Sequence, residues 1–238
     1  MRLHRFIYDF DLTKDKVLIT DKSIIFQIQK VLRLKTGKEI ILVNNFGQEA
    51  QIKILNFDNG MILGKILNIY ELNRESQKEV NLYVSILKKE NFELVCQKAT
   101  ELGIKNIIPL ISKYTVKLNF NRERLERIIK EAAEQSGRTS IPHLLNIQKF
   151  NDIILNLKNN NFKQLNLFFD PNGKNFKEVL KLISANEKIN IFIGPEGGWS
   201  EEELNLAKEN NFEIVKLSDL IFRAETAAQI GSYLAIYF

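Results

Sequence analysis

A chain of 238 residues with 45% hydrophobic content is long enough to bury one large core or two small ones. A single cysteine, Cys96, excludes an internal disulfide or multi-cysteine metal site, and only His4 and His143 offer imidazole, so no metal is expected. The formal charge of +5 suits a polyanionic partner without requiring one.

The first segment, Met1 to Lys16, mixes charges throughout and lacks the apolar stretch of a signal peptide. No run approaches membrane-spanning length, which makes the cytoplasm the expected location. Ile24 to Leu34 carries apolar residues at helical spacing, with Lys30 and Arg33 on the outer side and Gly37 as the stop. Three short strands follow: Ile40 to Val43, Ala50 to Leu55 and Met61 to Leu67. They are separated by Asn44-Asn45-Phe46-Gly47 and Asp58-Asn59-Gly60, residues that tolerate hairpin turns. This predicts a small β unit over 1–72. The wholly polar stretch Asn73 to Glu79 reads as a linker into a second domain, 73–238.

Beyond the linker, strand-like runs alternate with helical ones. Val80 to Leu87 precedes a helix over Phe92 to Leu102 capped by Gly103; Ile107 to Ile111 precedes a helix over Arg122 to Ser136 stopped by Gly137. The pattern continues through Leu165 to Phe169, the helical Phe176 to Ile183, the strand Ile189 to Ile193, a helix from Ser200, the strand Ile214 to Leu217 and a last helix from Ala224. Such alternation predicts an α/β domain with a mainly parallel sheet, whose ligands sit beyond the carboxyl ends of the strands.

Two of those ends carry unusual chemistry. The apolar run Ile189 to Ile193 stops at Gly194-Pro195-Glu196-Gly197-Gly198-Trp199-Ser200, where Pro195 removes a donor and two glycines allow close approach to bare backbone. Ser200 with Glu203 forms a capping box that starts a helix. Glu201, Glu202 and Glu203 in its first turn repel phosphate, and the spacing fails the dinucleotide fingerprint. A neutral or cationic ligand such as an adenosyl sulfonium fits better; a tight turn with no ligand is the alternative. The second loop, Leu217-Ser218-Asp219-Leu220-Ile221-Phe222, leads into Arg223-Ala224-Glu225-Thr226-Ala227-Ala228. Glu225 is favourable near a helix N-terminus; Arg223 there asks for a compensating carboxylate or phosphate.

These two segments together resemble the last two motifs of the SPOUT methyltransferases, and within them the RsmE-type family that methylates N3 of a uridine in small-subunit ribosomal RNA. Gln97-Lys98-Ala99-Thr100-Glu101-Leu102-Gly103 and Glu131-Ala132-Ala133-Glu134-Gln135-Ser136-Gly137-Arg138 match the same family, and the likeness runs from about Leu3 to Phe238. The resemblance implies a PUA-like β-barrel that helps hold RNA, followed by a trefoil-knotted parallel-sheet domain. It implies S-adenosylmethionine as cofactor, held by Ile193, Gly194, Pro195, Glu196, Gly197, Gly198, Leu217, Ser218, Leu220, Phe222, Thr226 and Ala227, mostly through backbone. It implies 16S ribosomal RNA as partner, a homodimer through the last helix, and neither metal nor membrane. The same fold acting on a transfer RNA base or a ribose hydroxyl, or a non-catalytic RNA-binding protein, are the alternatives.

The N3 of uridine becomes a nucleophile only once its proton leaves, and a nearby guanidinium favours the anion. Arg138 matches the family's Gln-Ser-Gly-Arg motif and is assigned that role, although an Arg after a helix C-terminus is favourable in itself. Arg223 is assigned beside it, as a substrate-orienting or structural cation. Lys30, Arg33, Lys88, Lys89 and Gln135 are candidates for RNA contact, against the plainer reading of solvated side chains. Trp199 and Phe222 either seal the cofactor site or stack on a base, or else pack in the core. The family pattern has Gly at Ser218, His at Gln27 and a basic residue near Asn91, so this chain departs from it at three places.

Overall fold

The computed structural model describes residues 3–11, 14–44, 47–72, 74–158 and 163–238, so Asn45 and Phe46 of the first expected turn, and Asn73 of the expected linker, lie outside the described residues. The chain divides into two compact units, Met1–Glu75 with Ala133–Ile141, and Ser76–Ala132 with Pro142–Phe238.

The first unit holds β1 (Arg5–Ile7), β2 (Lys16–Ile19), α1 (Lys22–Phe26) with a π-helical turn over Gln27–Val31, β3 (Glu39–Val43), β4 (Gln48–Asp58) and β5 (Met61–Glu71). Its five strands run in the order β1-β3-β4-β5-β2, with β1 parallel to β3 and the other pairs antiparallel. β4 and β5 are longer than the sequence pattern suggests, and Asp58 pairs with Met61 across Asn59-Gly60. Both loop residues have positive φ, 46° and 72°, as a type I′ hairpin requires. The helix read over Ile24 to Leu34 ends earlier, at Val31, and Arg33 takes a left-handed φ of 51°. Phe6, Ile24, Ile28, Leu42, Ile52 and Ile54 form the core.

The returning segment Ala133–Ile141 belongs to this unit, and buried polar contacts hold it there. Glu134 Oε1 accepts the Ile7 amide at 2.9 Å. Glu75 accepts from the Arg138 guanidinium at 2.6 Å and from the amides of Thr139 and Ser140 at 3.0 and 3.2 Å. Ala133 and Ile141 add apolar contact beside Ile7 and Val43.

The second unit continues with β6 (Glu79–Ser85), α2 (Lys89–Leu102), β7 (Asn106–Ile111), α3 (Arg122–Ser136), β8 (His143–Leu144), β9 (Gln148–Lys149), α4 (Phe150–Lys158), β10 (Leu165–Asn175), a 3₁₀ turn over Phe176–Val179, α5 (Leu180–Ser184), β11 (Lys188–Ile193), α6 (Glu201–Glu209), β12 (Glu213–Lys216) and α7 (Ala224–Tyr237). Its strands lie in the order β12-β10-β11-β6-β7-β8, with β9 also on β7, and every pair is parallel. The mixed α/β architecture with a parallel sheet is therefore as the alternation predicts, while β1, β2, β8, β9 and α4 have no counterpart in the sequence reading. Gly103 caps α2 in the left-handed conformation, and Ser200 with Glu203 makes the expected capping box on α6.

One row of amides crosses four of these strands. Asn106 donates to Asn81 at 2.6 Å, Asn81 to Asn190 at 2.9 Å, and Asn190 to Asn166 at 2.7 Å and Gln164 at 3.1 Å. The three asparagine pairs are direct register partners. A one-residue slip of any strand would strand a buried amide on the wrong face, so the row fixes the register that aligns the strand ends.

Candidate active site

Strands aligned at one end deliver their loops to one place. The segments after β6, β11 and β12, and an excursion of β10, wall a cavity of about 550 Å³. The excursion is Asp170-Pro171-Asn172-Gly173. Phe169 and Lys174 both register against Val215, so these four residues bulge out of the strand and return. Asp170 Oδ1 accepts the Asn172 amide at 2.8 Å, which fixes the bulge, and Gly173 closes it where a Cβ would lie 2.5 Å from the Val215 nitrogen.

The β11 loop is held from several sides. The Glu196 carboxylate accepts the Lys88 amide at 3.2 Å, tying it to the start of α2. Trp199 donates through Nε1 to the Phe169 carbonyl at 3.0 Å, and its ring packs 4.3 Å from Phe168 and 5.2 Å from Phe150. Trp199 is thus both core residue and cavity wall. A Cβ on Gly194 would come within 3.0 Å of that indole, and Gly198 has φ +71°, so a side chain would be crowded at the first position and strained at the second. In the β12 loop the Ser218 hydroxyl accepts the Leu220 amide at 3.1 Å. Lys216 grips Asp219 at 2.6 Å, and its ammonium holds that carboxyl below the usual range.

Ten of the twelve residues expected to hold the cofactor line this cavity: Ile193, Gly194, Pro195, Glu196, Gly198, Leu217, Ser218, Leu220, Phe222 and Ala227. Gly197 does not; a Cβ there would meet Tyr114 at 3.1 Å. Thr226 is half-buried and also off the wall. Arg223 lines the cavity at the N-cap of α7, exposed, with no carboxylate within 4 Å among the described residues. Lys88 and the departure residue Asn91 line it too, while Lys89 is exposed at the start of α2. Lys30, Arg33 and Gln135 are exposed in the first unit, and Arg138 is buried there against Glu75. Burial works to raise the Glu75 carboxyl, but the Arg138 hydrogen bonds and charge, with the Thr139 and Ser140 amides, hold it below its ordinary value.

Sequence reasoning did not assign Phe169, Asp170, Pro171 or Glu225 to this wall. Asp-Pro-Asn-Gly after an apolar strand is a turn signal at a strand end and could have marked the first three. Glu225 is 8% exposed, lines the cavity, and its Oε2 has no hydrogen-bond partner among the described residues.

A parallel sheet whose strand ends open into a ligand-sized hollow, walled by bare backbone and a few polar side chains, defines an α/β protein that holds a small organic molecule. A model of the RNA methyltransferase domain matches residues 74–233. The ribosomal RNA small subunit methyltransferase E of Rickettsia conorii is 33% identical over 219 residues, 90% of this chain and 86% of that protein. Its counterpart in Bacillus subtilis is 27% identical over 237 residues, covering 92% and 91%. The crystal structure of the Neisseria gonorrhoeae enzyme of that name, bound to S-adenosyl methionine, matches with a TM-score of 0.86 at 26% identity over 97% of this chain and 95% of that one. The chain belongs to the RNA methyltransferase family, among the ribosomal RNA small subunit methyltransferases E.

Proposed function

We propose that this protein transfers a methyl group from S-adenosylmethionine to N3 of a uridine in 16S ribosomal RNA. The observation that carries the reading is the single cavity formed by the β10, β11 and β12 loops, into which ten of the twelve residues expected from the family motifs converge. Its volume is within the range of small-ligand sites. Its lining fits an adenosyl group: apolar walls from Phe169, Ile193, Leu217 and Phe222, and glycines where backbone must be approached.

When bound, the cofactor supplies a methyl already activated on a sulfonium, so the protein's tasks are positioning, water exclusion and control of one proton. Phe222, Leu220 and Ile221 line the cavity, the last two largely exposed, and are assigned to shield the bound cofactor from water. The charged groups of the wall carry the rest. Arg223 is one of the cations on the cavity wall, and we assign it to orient the uracil and favour its N3 anion. Arg138, also a candidate from its motif, is engaged by Glu75, which compensates its charge. Its assigned part is to hold residues 137–141 in the first unit, where Lys30, Arg33 and Gln135 offer RNA contacts. Lys88, exposed on the cavity wall, is assigned to meet a phosphate.

The same reading assigns the five-stranded unit as a PUA-like barrel, 73–238 as a trefoil-knotted methyltransferase domain, and α7 as the contact of a homodimer working in the cytoplasm without metal. Exposed Tyr233 and Tyr237 on α7, with Phe238 directly after it, support the dimer. The function is tested by nucleoside mass analysis of 16S RNA from cells lacking the protein. Loss of 3-methyluridine is expected; an undisturbed level refutes the assignment.

A further inference from the structure

The register of the first unit sets three lysines side by side. Lys65 of β5 lies directly opposite Lys53 of β4 on one side and Lys16 of β2 on the other, and all three side chains are exposed. Neighbouring strands are about 4.8 Å apart, so the three cations start from a line about 10 Å long across the outer face of the sheet. Like charges directly opposite one another on a sheet repel, and none of the three has an ion-pair partner within 4 Å among the described residues. The carboxylate in the row, Glu39 opposite Lys53, accepts from the Gln51 side-chain amide at 2.7 Å instead. Strand lysines of the second unit are matched the other way: Lys188 lies opposite Glu79 and pairs with it at 3.1 Å, and Lys174 pairs with Glu213. The alternate residues lock the row in place. Val17, Ile52 and Ile54 are buried in the core, and a Cβ on Gly64 would collide with the Ile52 side chain, so a shifted register is closed to these strands.

We propose that Lys16, Lys65 and Lys53 grip the phosphate backbone of the RNA substrate as one cationic row. The inference rests on the reading of 16S RNA as the partner, and it adds to that reading a set of residues distinct from Lys30, Arg33 and Gln135. An ammonium is a point charge on a flexible stem and meets a phosphate without demanding one geometry, which suits a strand held by its backbone. The phosphates supply the counter-charge that the row lacks, so binding relieves repulsion that the free protein carries. Leu18, 47% exposed and two residues beyond Lys16 on the same face, offers apolar contact to a ribose or base edge beside the row. Phosphate carries no sequence, so the row holds the RNA without choosing the base that reacts.

The test is RNA binding by the full chain, followed through the anisotropy of a fluorescein-labelled single-stranded RNA over a salt series. Each phosphate contact on a single strand contributes about 0.7 to the slope of log K against log salt. The triple variant Lys16→Gln/Lys53→Gln/Lys65→Gln should therefore lower that slope by about 2 and weaken binding at least about ten-fold at physiological salt, with the affinity for S-adenosylmethionine unchanged. Lys65→Gln alone should lower the slope by about 0.7. Without RNA, the triple variant should melt at or above the wild-type temperature, because facing like charges have been removed. Lys177→Gln/Lys181→Gln/Lys208→Gln removes the same charge from exposed positions of the second unit and should change the slope by less than about 0.7. A wild-type slope in the first triple variant, equal effects of the two, or a lowered melting temperature overturns the proposal. So does loss of binding to phosphatidylglycerol vesicles with RNA binding intact, which would assign the row to a lipid surface. Wild-type protein that binds S-adenosylmethionine but no RNA overturns the proposal together with the reading of RNA as partner, and is distinguishable from a wild type that binds RNA independently of the row.

Discussion

Replacing Asn190 by leucine, nearly the same size, interrupts the amide row at its most buried member, which is 0% exposed. Three hydrogen bonds disappear: one accepted from Asn81 and two donated, to Asn166 and Gln164. The Asn81 amide is left with an unmet donor in the interior, which costs about 1–3 kcal/mol. Asn166 and Gln164 are half-buried and can turn toward water, adding about 1 kcal/mol, while the extra apolar burial of leucine returns about 1. The expected net loss is about 2 kcal/mol, or roughly a 1 M decrease in the urea midpoint for a domain with a slope near 2 kcal/mol/M. Trp199 is the only tryptophan in the chain and lies in the second unit, so its fluorescence reports that unit alone. The double variant Asn81→Leu/Asn190→Leu should lose less than the sum of the single variants, because the orphaned donor is removed with its partner. A midpoint within about 0.2 M of wild type, or strictly additive losses, would refute the claim that this row fixes the strand register.

Gly173→Ala should cost about 1–3 kcal/mol and weaken cofactor binding together, because its Cβ would sit 2.5 Å from backbone of β12; unaltered calorimetry would contradict the geometry. Cys96, whose thiol burial and the Glu93 charge push up to about 12, should resist alkylation at pH 8 until the protein unfolds, as counted by mass spectrometry. The Glu75 carboxyl sits below its unfolded value near 4.5, so its contribution to stability is complete above that pH and is lost as pH falls through the depressed folded value. Glu75→Gln should therefore be less stable at pH 7 yet show a shallower acid-induced loss below pH 4.5, followed by circular dichroism.

What was legible in the sequence follows the range of the forces involved. The hairpin at Asn59-Gly60, the Gly103 cap and the Ser200–Glu203 box are set by residues within a few positions of one another, so they could be read directly. The parallel strands announced themselves through apolar runs, and the loops of the cavity through glycine and proline at their ends. The return of Ala133–Ile141 to the first unit depends on Glu75 and Ile7, which are distant in sequence, and nothing local in Thr139 or Ser140 signals it. The same limit applied at Arg138: its motif was readable, its Glu75 partner was not. The Asp170 to Gly173 excursion was missed because the apolar run ends at Phe169, and the strand resumes only by pairing with β12. Glu225 read as a favourable charge on a helix terminus; that its oxygen lacks a partner is a property of tertiary packing alone.

The central claim is that this cavity serves methylation of one atom of one base. Small ribosomal subunits lacking the modification, incubated with purified protein and cofactor carrying a deuterated methyl, can be digested and their nucleosides weighed. The account predicts the heavy methyl in 3-methyluridine. Label in a ribose-methylated nucleoside or at another base position, or no label at all, would contradict it.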